Sequence, residues 1–346
     1  MRAEEQNRTR GKTTLLITLL IALHTVLLFA GFVAPYNPTT QNREFPYAPP
    51  TRLHFWDGSS FHLRPFVYAW APADDGYRED LSQPYPIQLF ARGEGYDFLS
   101  LFETNLHLFG VESPGECWLF GTDAFGRDEL SRVLYGGQIS VAAGIVATAV
   151  TLLMGSVVGI ISGYYGGWID ETLMGTTELF LSLPWLYFLL GVRVFLPLHV
   201  NLVRTFFLLT WVIGLIGWAR PARLVRGVVL TARTRNYVLS ARGFGGSDFY
   251  LLRRHILPET FGVLFTQAAL LVPRYIAAEV ALSFFGLGVN EPVPSWGNML
   301  SVLQQYSVLI SYDWLLAPAA ALFITSVIYY LLADALHSQL ESRSSS

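Results

Sequence analysis

Residues 139–163 read ISVAAGIVATAVTLLMGSVVGIISG, an unbroken run without a charged side chain. At 1.5 Å rise per residue such a run spans more than the roughly 30 Å hydrocarbon core of a bilayer, so it is expected to cross a membrane as a helix. Gly144, Gly155 and Gly159 lie within it beside several alanines. Where lipid supplies no hydrophobic drive, small residues of this kind let neighbouring helices approach closely, which predicts a packed bundle rather than an isolated anchor.

Working outward, comparable apolar runs occupy residues 14–34, 172–198, 203–219, 261–285 and 314–333, each bounded by polar, Gly-rich or Pro-rich sequence. The expectation is an all-α membrane protein with six transmembrane helices, whose termini lie on one side. The composition agrees: 52% of residues are hydrophobic and only 14% charged, against about 25% charge in a typical soluble domain. Net charge is −3, and no charged groove for nucleic acid is evident. The single cysteine, Cys117, forbids an intrachain disulfide and provides no thiol cluster for a metal. A secretory signal peptide is the competing reading of the first run, with Arg8, Arg10 and Lys12 before it. The run exceeds the usual apolar core of about 7–15 residues and lacks a clear small-residue cleavage site, so the span is expected to stay attached.

Basic residues orient the bundle. Arg2, Arg8, Arg10 and Lys12 precede the first span, and eight arginines, from Arg220 to Arg254, separate the fourth from the fifth. The positive-inside rule places both regions, and both termini, in the cytoplasm. Residues 286–313 contain no Arg or Lys and fall outside, whereas 164–171 are expected inside yet carry no basic residue. The expected organisation is a tail and first helix (1–34), an extracytoplasmic lobe ending in an interfacial helix (35–137), a five-helix core (138–335) with a cytoplasmic segment at 219–259, and a cytoplasmic tail (336–346).

The lobe is rich in Pro, Tyr and Trp and is expected to be a small mixed fold of loops and short strands. His54, His62 and Asp57 have no spacing that specifies a metal geometry. At its end, FGTDAFGRDELSRVL (120–134) offers Gly121 and Gly126 for tight turns and Asp128 for the amides of a helix start. Leu130, Val133 and Leu134 predict a short helix lying along the membrane. Asp123, Asp128 and Glu129 lack a nucleophile or proton relay, and His24, His107, His255 and His337 are scattered, so a membrane enzyme has least support.

Inside the spans, Glu178, Arg193, Arg274 and Glu279 must each find water, an interface or a partner. Glu178, Arg274 and Glu279 are candidates for either interhelical pairing or a polar translocation path. Pro184 and Pro273 predict kinks. In the arginine-rich segment, Tyr237, Val238, Ala241 and Phe244 are spaced as the apolar strip of a short helix, Gly245 and Gly246 permit a reversal, and Ser247 or Asp248 caps a following helix. This protruding helical knob suits an interfacial helix, a docking point for a motor subunit, or a basic site for anionic lipid or nucleic acid.

At these residues the chain resembles the inner-membrane permease subunits of binding-protein-dependent ABC importers, in the dipeptide, oligopeptide and nickel group, particularly the second permease. The resemblance covers about residues 120–335, through FGTDAFGRDELSRVLYGG, GYYGGWIDE, YVLSARGFGGSDFYLLRRHILPE and AEVALSFFGLGVNEPVPSWGNML. It implies a homologous second permease, two ATPase subunits or domains that hold ATP and Mg, an extracytoplasmic solute-binding protein, and a bacterial-type inner membrane. No cofactor, metal or catalytic residue is implied in this chain, which has no phosphate-binding Gly-rich loop with its lysine. The family's cytoplasmic motif falls on Leu239, Ser240 and Ala241, then Gly245, then Ile256, Leu257 and Pro258, with Leu239 where glutamate is usual. Tyr237, Leu239, Ser240, Ala241, Phe244, Gly245, Asp248 and Pro258 are thus the implied ATPase-coupling residues. Pro292, Pro294 and Trp296 fall in an external loop that the resemblance places near the binding protein. The implied activity is ATP-driven import of peptides or similar solutes. An ion-coupled secondary transporter, and a membrane scaffold or receptor with a ligand-binding lobe, are the alternatives.

Overall fold

The computed structural model describes residues 2–73, 76–98, 101–182, 184, 191 and 202–344. The chain divides into two compact units: Met1–Leu20, Val141–Glu279 and Thr325–Ser346 form one, and Ile21–Ser140 with Val280–Ile324 form the other.

The architecture is helical apart from the lobe. The helices are α1 (Arg2–Leu28), α2 (Ala30–Val33), α3 (Glu129–Tyr165), α4 (Gly167–Ser182), α5 (Leu202–Gly217), α6 (Ala219–Ala232), α7 (Asn236–Gly243), α8 (Asp248–Leu251), α9 (Leu257–Phe284), α10 (Trp296–Ser301), α11 (Tyr306–Ser311) and α12 (Ala317–Ser344). A π-helical turn, Leu252–Ile256, joins α8 to α9. Among the described residues four helical stretches are long and apolar enough to cross a membrane: Gly11–Leu28, Glu129–Tyr165, Asp248–Phe284 and Asp313–Gln339. Phe206–Gly217 and Ala219–Ala232, bent by 44°, make a fifth if taken as one span. Much of the expected span 172–198, with Arg193, lies outside the described residues.

In the first unit, α3 and α6 meet through their backbones. Ala222, Val225, Val229 and Ala232 recur at helical spacing and are buried. Opposite them stand Gly155, Gly159 and Gly163, where an added Cβ would lie 3.0 Å from the Trp218 carbonyl, 2.5 Å from that of Ala222 and 3.0 Å from that of Arg226. Only hydrogen fits there, and the four-residue repeat puts all three glycines on one stripe. Polar ties add to the packing: the Thr151 hydroxyl donates to the Gly214 carbonyl of α5 at 2.7 Å and lies 2.9 Å from the Tyr275 hydroxyl of α9. Pro273 lies inside α9 rather than ending it.

In the second unit the lobe is more regular than the expected loops and short strands. A three-stranded antiparallel sheet comprises β1 (His54–Trp56), β2 (Phe61–Ala73) and β3 (Gly76–Pro86) in that order, beside two-stranded pairs of β4 (Gln88–Leu89) with β7 (Phe109–Gly110) and β5 (Arg92–Phe98) with β6 (Phe102–Leu106). β2 runs for 13 residues despite two prolines, and its pairing with β3 shifts register between Tyr68 and Ala69, which absorbs the irregularity. The expected short helix along the membrane is not a separate element: Leu130, Val133 and Leu134 belong to the first turns of α3, whose 37 residues reach about 55 Å. Val133 and Leu134 are buried within the protein, and the helix continues through Gly136 and Gly137 into the apolar run with no proline to stop it.

Gly159→Val is expected to lower the midpoint of thermal unfolding in detergent and cost about 1–3 kcal/mol, because the new side chain meets the α6 backbone rather than a movable side chain. Unchanged unfolding would show that the helices have room to separate.

Candidate functional site

The arginine-rich segment folds into a knob on the first unit. Helix α7 starts after Arg235 and ends at a reversal where Gly245 has φ of +85°, a conformation glycine adopts without strain. The Gly246 amide donates back to the Ala241 carbonyl at 3.0 Å, closing the turn. Ser247 then caps α8 by accepting the Tyr250 amide. Of the two expected caps, Ser247 performs that task. Asp248 instead accepts the Tyr164 hydroxyl of α3 at 2.5 Å, and Arg242 donates to the same hydroxyl at 2.9 Å while its guanidinium stands 5.5 Å from the Tyr164 ring. A tyrosine thus joins both arms of the knob to the end of a long helix.

The root of the knob is fixed in other ways. Val238 and Leu251 are fully buried, and Ile256 packs with Tyr164, Val225 and Val229. Arg233 donates to the Gly163 and Tyr164 carbonyls at 2.9 and 3.1 Å, the orphan acceptors at the C-terminal end of α3. The Tyr237 hydroxyl donates to Glu259 at 2.9 Å. The expected apolar strip does not share one buried face: Val238 points inward, while Tyr237, Leu239, Phe244 and Phe249 are exposed, Phe244 by 91%. Ser240 is also exposed, Ala241 is partly buried, and Pro258 lies in the first turn of α9. His255 sits in the π turn between the rings of Tyr237 and Tyr250, and its Nε2 has no hydrogen-bond partner among the described residues.

Behind the knob, Arg226 makes a two-pronged pair with Asp170 at 2.5 Å, and Ser162 donates to the same carboxylate. Hydrogen bonding to Arg226 holds the Asp170 carboxyl below its ordinary range despite partial desolvation. The loop expected inside without basic residues therefore carries an acid already matched by α6. Glu178 is exposed and pairs with Arg223 at 3.0 Å, the pairing reading of that residue. Arg274 is exposed and Glu279 is buried, both on α9.

The second unit holds an ion cluster that sequence reading missed. The Asp123 carboxylate accepts the amides of Phe125 and Arg127 at 2.8 and 3.0 Å, and Arg127 Nε reaches it at 2.6 Å. Arg127 also donates to Glu291 at 2.6 and 3.2 Å, and Arg132 donates to Glu291 at 2.9 Å. One carboxylate from the 286–295 loop is thus held by two buried guanidiniums beside the start of α3. Burial alone would raise the Glu291 carboxyl, but Arg127 and Arg132 outweigh it and hold it below its ordinary value. Asp128, the N-cap that receives the Ser131 amide at 2.8 Å, is pushed up to about 7 by burial. In the same loop, Trp296 is not displayed outward: it is 1% exposed, its Nε1 donates to the Val133 carbonyl at 2.9 Å, and a Ser295–Asn298 capping box starts α10. No local pattern announced these contacts, since Arg127 and Glu291 are 164 positions apart.

A model of the family described as "Binding-protein-dependent transport system inner membrane component" matches residues 155–346. The chain belongs to this family. Over 246 residues it is 34% identical to the dipeptide transport system permease protein DppC of Bacillus subtilis (strain 168), spanning 70% of this chain and 72% of that protein. It is 34% identical to the oligopeptide transport system permease protein OppC of the same organism, over 72% of this chain and 78% of that one. It is 32% identical to the glutathione transport system permease protein GsiD of Pectobacterium atrosepticum, over 67% and 75%. As a family member the chain is a membrane permease component of an ABC-type import system, and it is not itself an enzyme. The ion-driven transporter and signalling-scaffold readings fall away. Among the described residues no group of three His, Cys, Asp or Glu side chains is arranged to hold a metal ion. The family match begins at Gly155, so the β lobe lies before it.

Two outcomes test these sites. Tyr164→Phe is expected to speed amide exchange across residues 236–251 by an amount corresponding to about 1 kcal/mol, through loss of the bridge to Asp248 and Arg242, with global unfolding little changed. Glu291→Gln is expected to cost about 1–2 kcal/mol at neutral pH, discounted for the half-exposed carboxylate. Because the folded carboxyl is lowered from 4.5, its contribution is present above that value and disappears as pH falls through the lowered one. Parent and variant unfolding midpoints should therefore converge in acid.

Proposed function

We propose that this chain is one of two homologous permeases of an ATP-driven peptide importer, with α7, the glycine turn and α8 as its contact with an ATPase. The observation that carries this reading is the knob: a root fixed by Val238, Leu251 and Tyr164, and a tip where Leu239, Phe244 and Phe249 stand free. A rigid projection transmits displacement, whereas a floppy loop absorbs it. Tyr237, Leu239, Ser240, Ala241, Phe244, Gly245, Asp248 and Pro258 form the coupling region, with Asp248 acting from inside by holding Tyr164. Leu239 offers an apolar contact where a charge is usual, so the matching ATPase groove should be apolar at that point.

In this reading the chain crosses the inner membrane six times with both termini in the cytoplasm. Residues 35–137 are extracytoplasmic, 138–335 form the five-helix core, 219–259 face two ATPase subunits, and a solute-binding protein delivers cargo from outside. Peptide as cargo is supported by the dipeptide and oligopeptide permeases among the relatives. Glu279, buried in α9, and Arg274, exposed on it, are the charges placed to meet a polar solute or its path.

Gly245→Val tests the coupling assignment. The turn requires φ of +85°, which a β-branched residue resists. The complex reconstituted with its second permease, ATPases and binding protein should insert and assemble, yet lose most peptide uptake and binding-protein-stimulated ATP hydrolysis. Parental uptake and hydrolysis in an assembled variant would remove α7 and α8 from the coupling role.

A further inference from the structure

The second unit carries an apolar surface that its fold does not cover. In the β5–β6 hairpin Phe98 pairs directly with Phe102 and Tyr96 with Thr104, so the Phe98, Phe102 and Tyr96 side chains share one face, while the intervening pair Asp97–Glu103 shares the other. Phe98 stacks on Phe102 with ring centroids 5.1 Å apart, and Phe102 is 58% and Leu101 75% exposed. At the end of β4 and in the turn after it, Leu89 and Phe90 are 70% and 62% exposed. These are large apolar groups with no protein over them, and the two carboxylates are confined to the opposite side.

Their surroundings decide the occupant. The Phe98 ring lies 5.3 Å from that of Phe29, the first residue after the membrane-crossing stretch Gly11–Leu28, and the Phe90 ring lies 6.2 Å from that of Phe32 in α2. The Leu108 amide donates to the Phe32 carbonyl at 2.6 Å, and His107 joins the Ala34 and Glu94 carbonyls, which pins the hairpins to the outlet of the first span. On α1 itself Val26 and Leu28 are exposed. Apolar side chains therefore continue from the end of the first span onto the lobe, through Phe29, Phe98 and Phe102.

We infer that the β5–β6 hairpin, with Leu89 and Phe90 beside it, is a shallow membrane anchor: Phe98, Leu101 and Phe102 enter the interfacial layer of the leaflet next to the first span. The chemistry is that of an amphipathic interfacial element, with rings on the lipid side and charge on the wet side. Insertion is shallow, because Asp97 and Glu103 on the reverse face must keep their water. The lobe is then a component lying on the lipid rather than a cap projecting away from it. This inference rests on the membrane-spanning character of α1 and not on the choice of cargo.

The test places a nitroxide label at Leu101→Cys, or independently at Phe102→Cys, in the complete complex reconstituted in liposomes, with Ser59→Cys in the exposed turn between β1 and β2 as reference. The native Cys117 escapes labelling: it is fully buried, and burial, aided by the Asp128 charge, pushes its thiol up to about 12. The expected result is a ratio of oxygen to water-soluble nickel-chelate collisions several-fold higher at both hairpin positions than at Ser59. Chelate access equal to that at Ser59 would overturn the anchor by showing the hairpin in water. Exclusion of both reagents would overturn it by showing that a protein surface covers the rings. Because collision rates need no transport, a failure here is distinct from a failure of the uptake experiment.

Discussion

Backbone contact between α3 and α6 at Gly155, Gly159 and Gly163 is the constraint on which the helical unit depends. Inside a bilayer, burying leucine against leucine gains little over burying it in lipid, so association needs van der Waals contact and hydrogen bonds at short range. Three glycines four residues apart provide that contact over a length that larger residues would keep apart. The same approach brings Arg226 to Asp170 and Arg233 to the last carbonyls of α3, so charged residues at the helix ends are satisfied by the packing that the glycines allow.

The knob inherits its rigidity from that contact. Tyr164 stands one residue after the last glycine of the stripe, and it is the group that Asp248 and Arg242 share. A segment of mixed polarity, exposed at Leu239, Phe244 and Phe249, is thereby held to a helix end by side chains that cannot rearrange independently. The second unit uses another device, with Arg127 and Arg132 gripping Glu291. There the turn at 121–128 is shaped first by glycines with positive φ and by Asp123 accepting its own following amides. The ionic contacts hold the distant loop to that turn.

The apolar runs, the short helices with their glycine reversal, and the family were legible because they depend on local pattern: length without charge, helical spacing, and Gly245 at a place where only a left-handed backbone closes the turn. Three features were not. The lobe's long strands were obscured by Pro65, Pro72, Pro84 and Pro86, which read as loop until the register shift between β2 and β3 accommodates them. The choice between Ser247 and Asp248 as the cap stayed open because both are suited to it, and what Asp248 does instead depends on Tyr164, 84 positions away. The burial of Trp296 within its external loop was not legible either, since the space for its ring is left by Gly137 of α3. Each of these is a contact between distant segments, on which local spacing is silent.

The π turn at Leu252–Ile256 has a geometric consequence. A wider turn inserts one residue beyond α-helical winding, so α9 is rotated by about 100° relative to a continuous α-helix. The stretch Asp248–Phe284 is therefore a single rod whose two ends are out of phase: Leu251 and Ile256 both face the interior although they are five positions apart. Removing one residue from this turn would restore ordinary winding and swing α8 around the rod like a misaligned crank, leaving every residue downstream where it was.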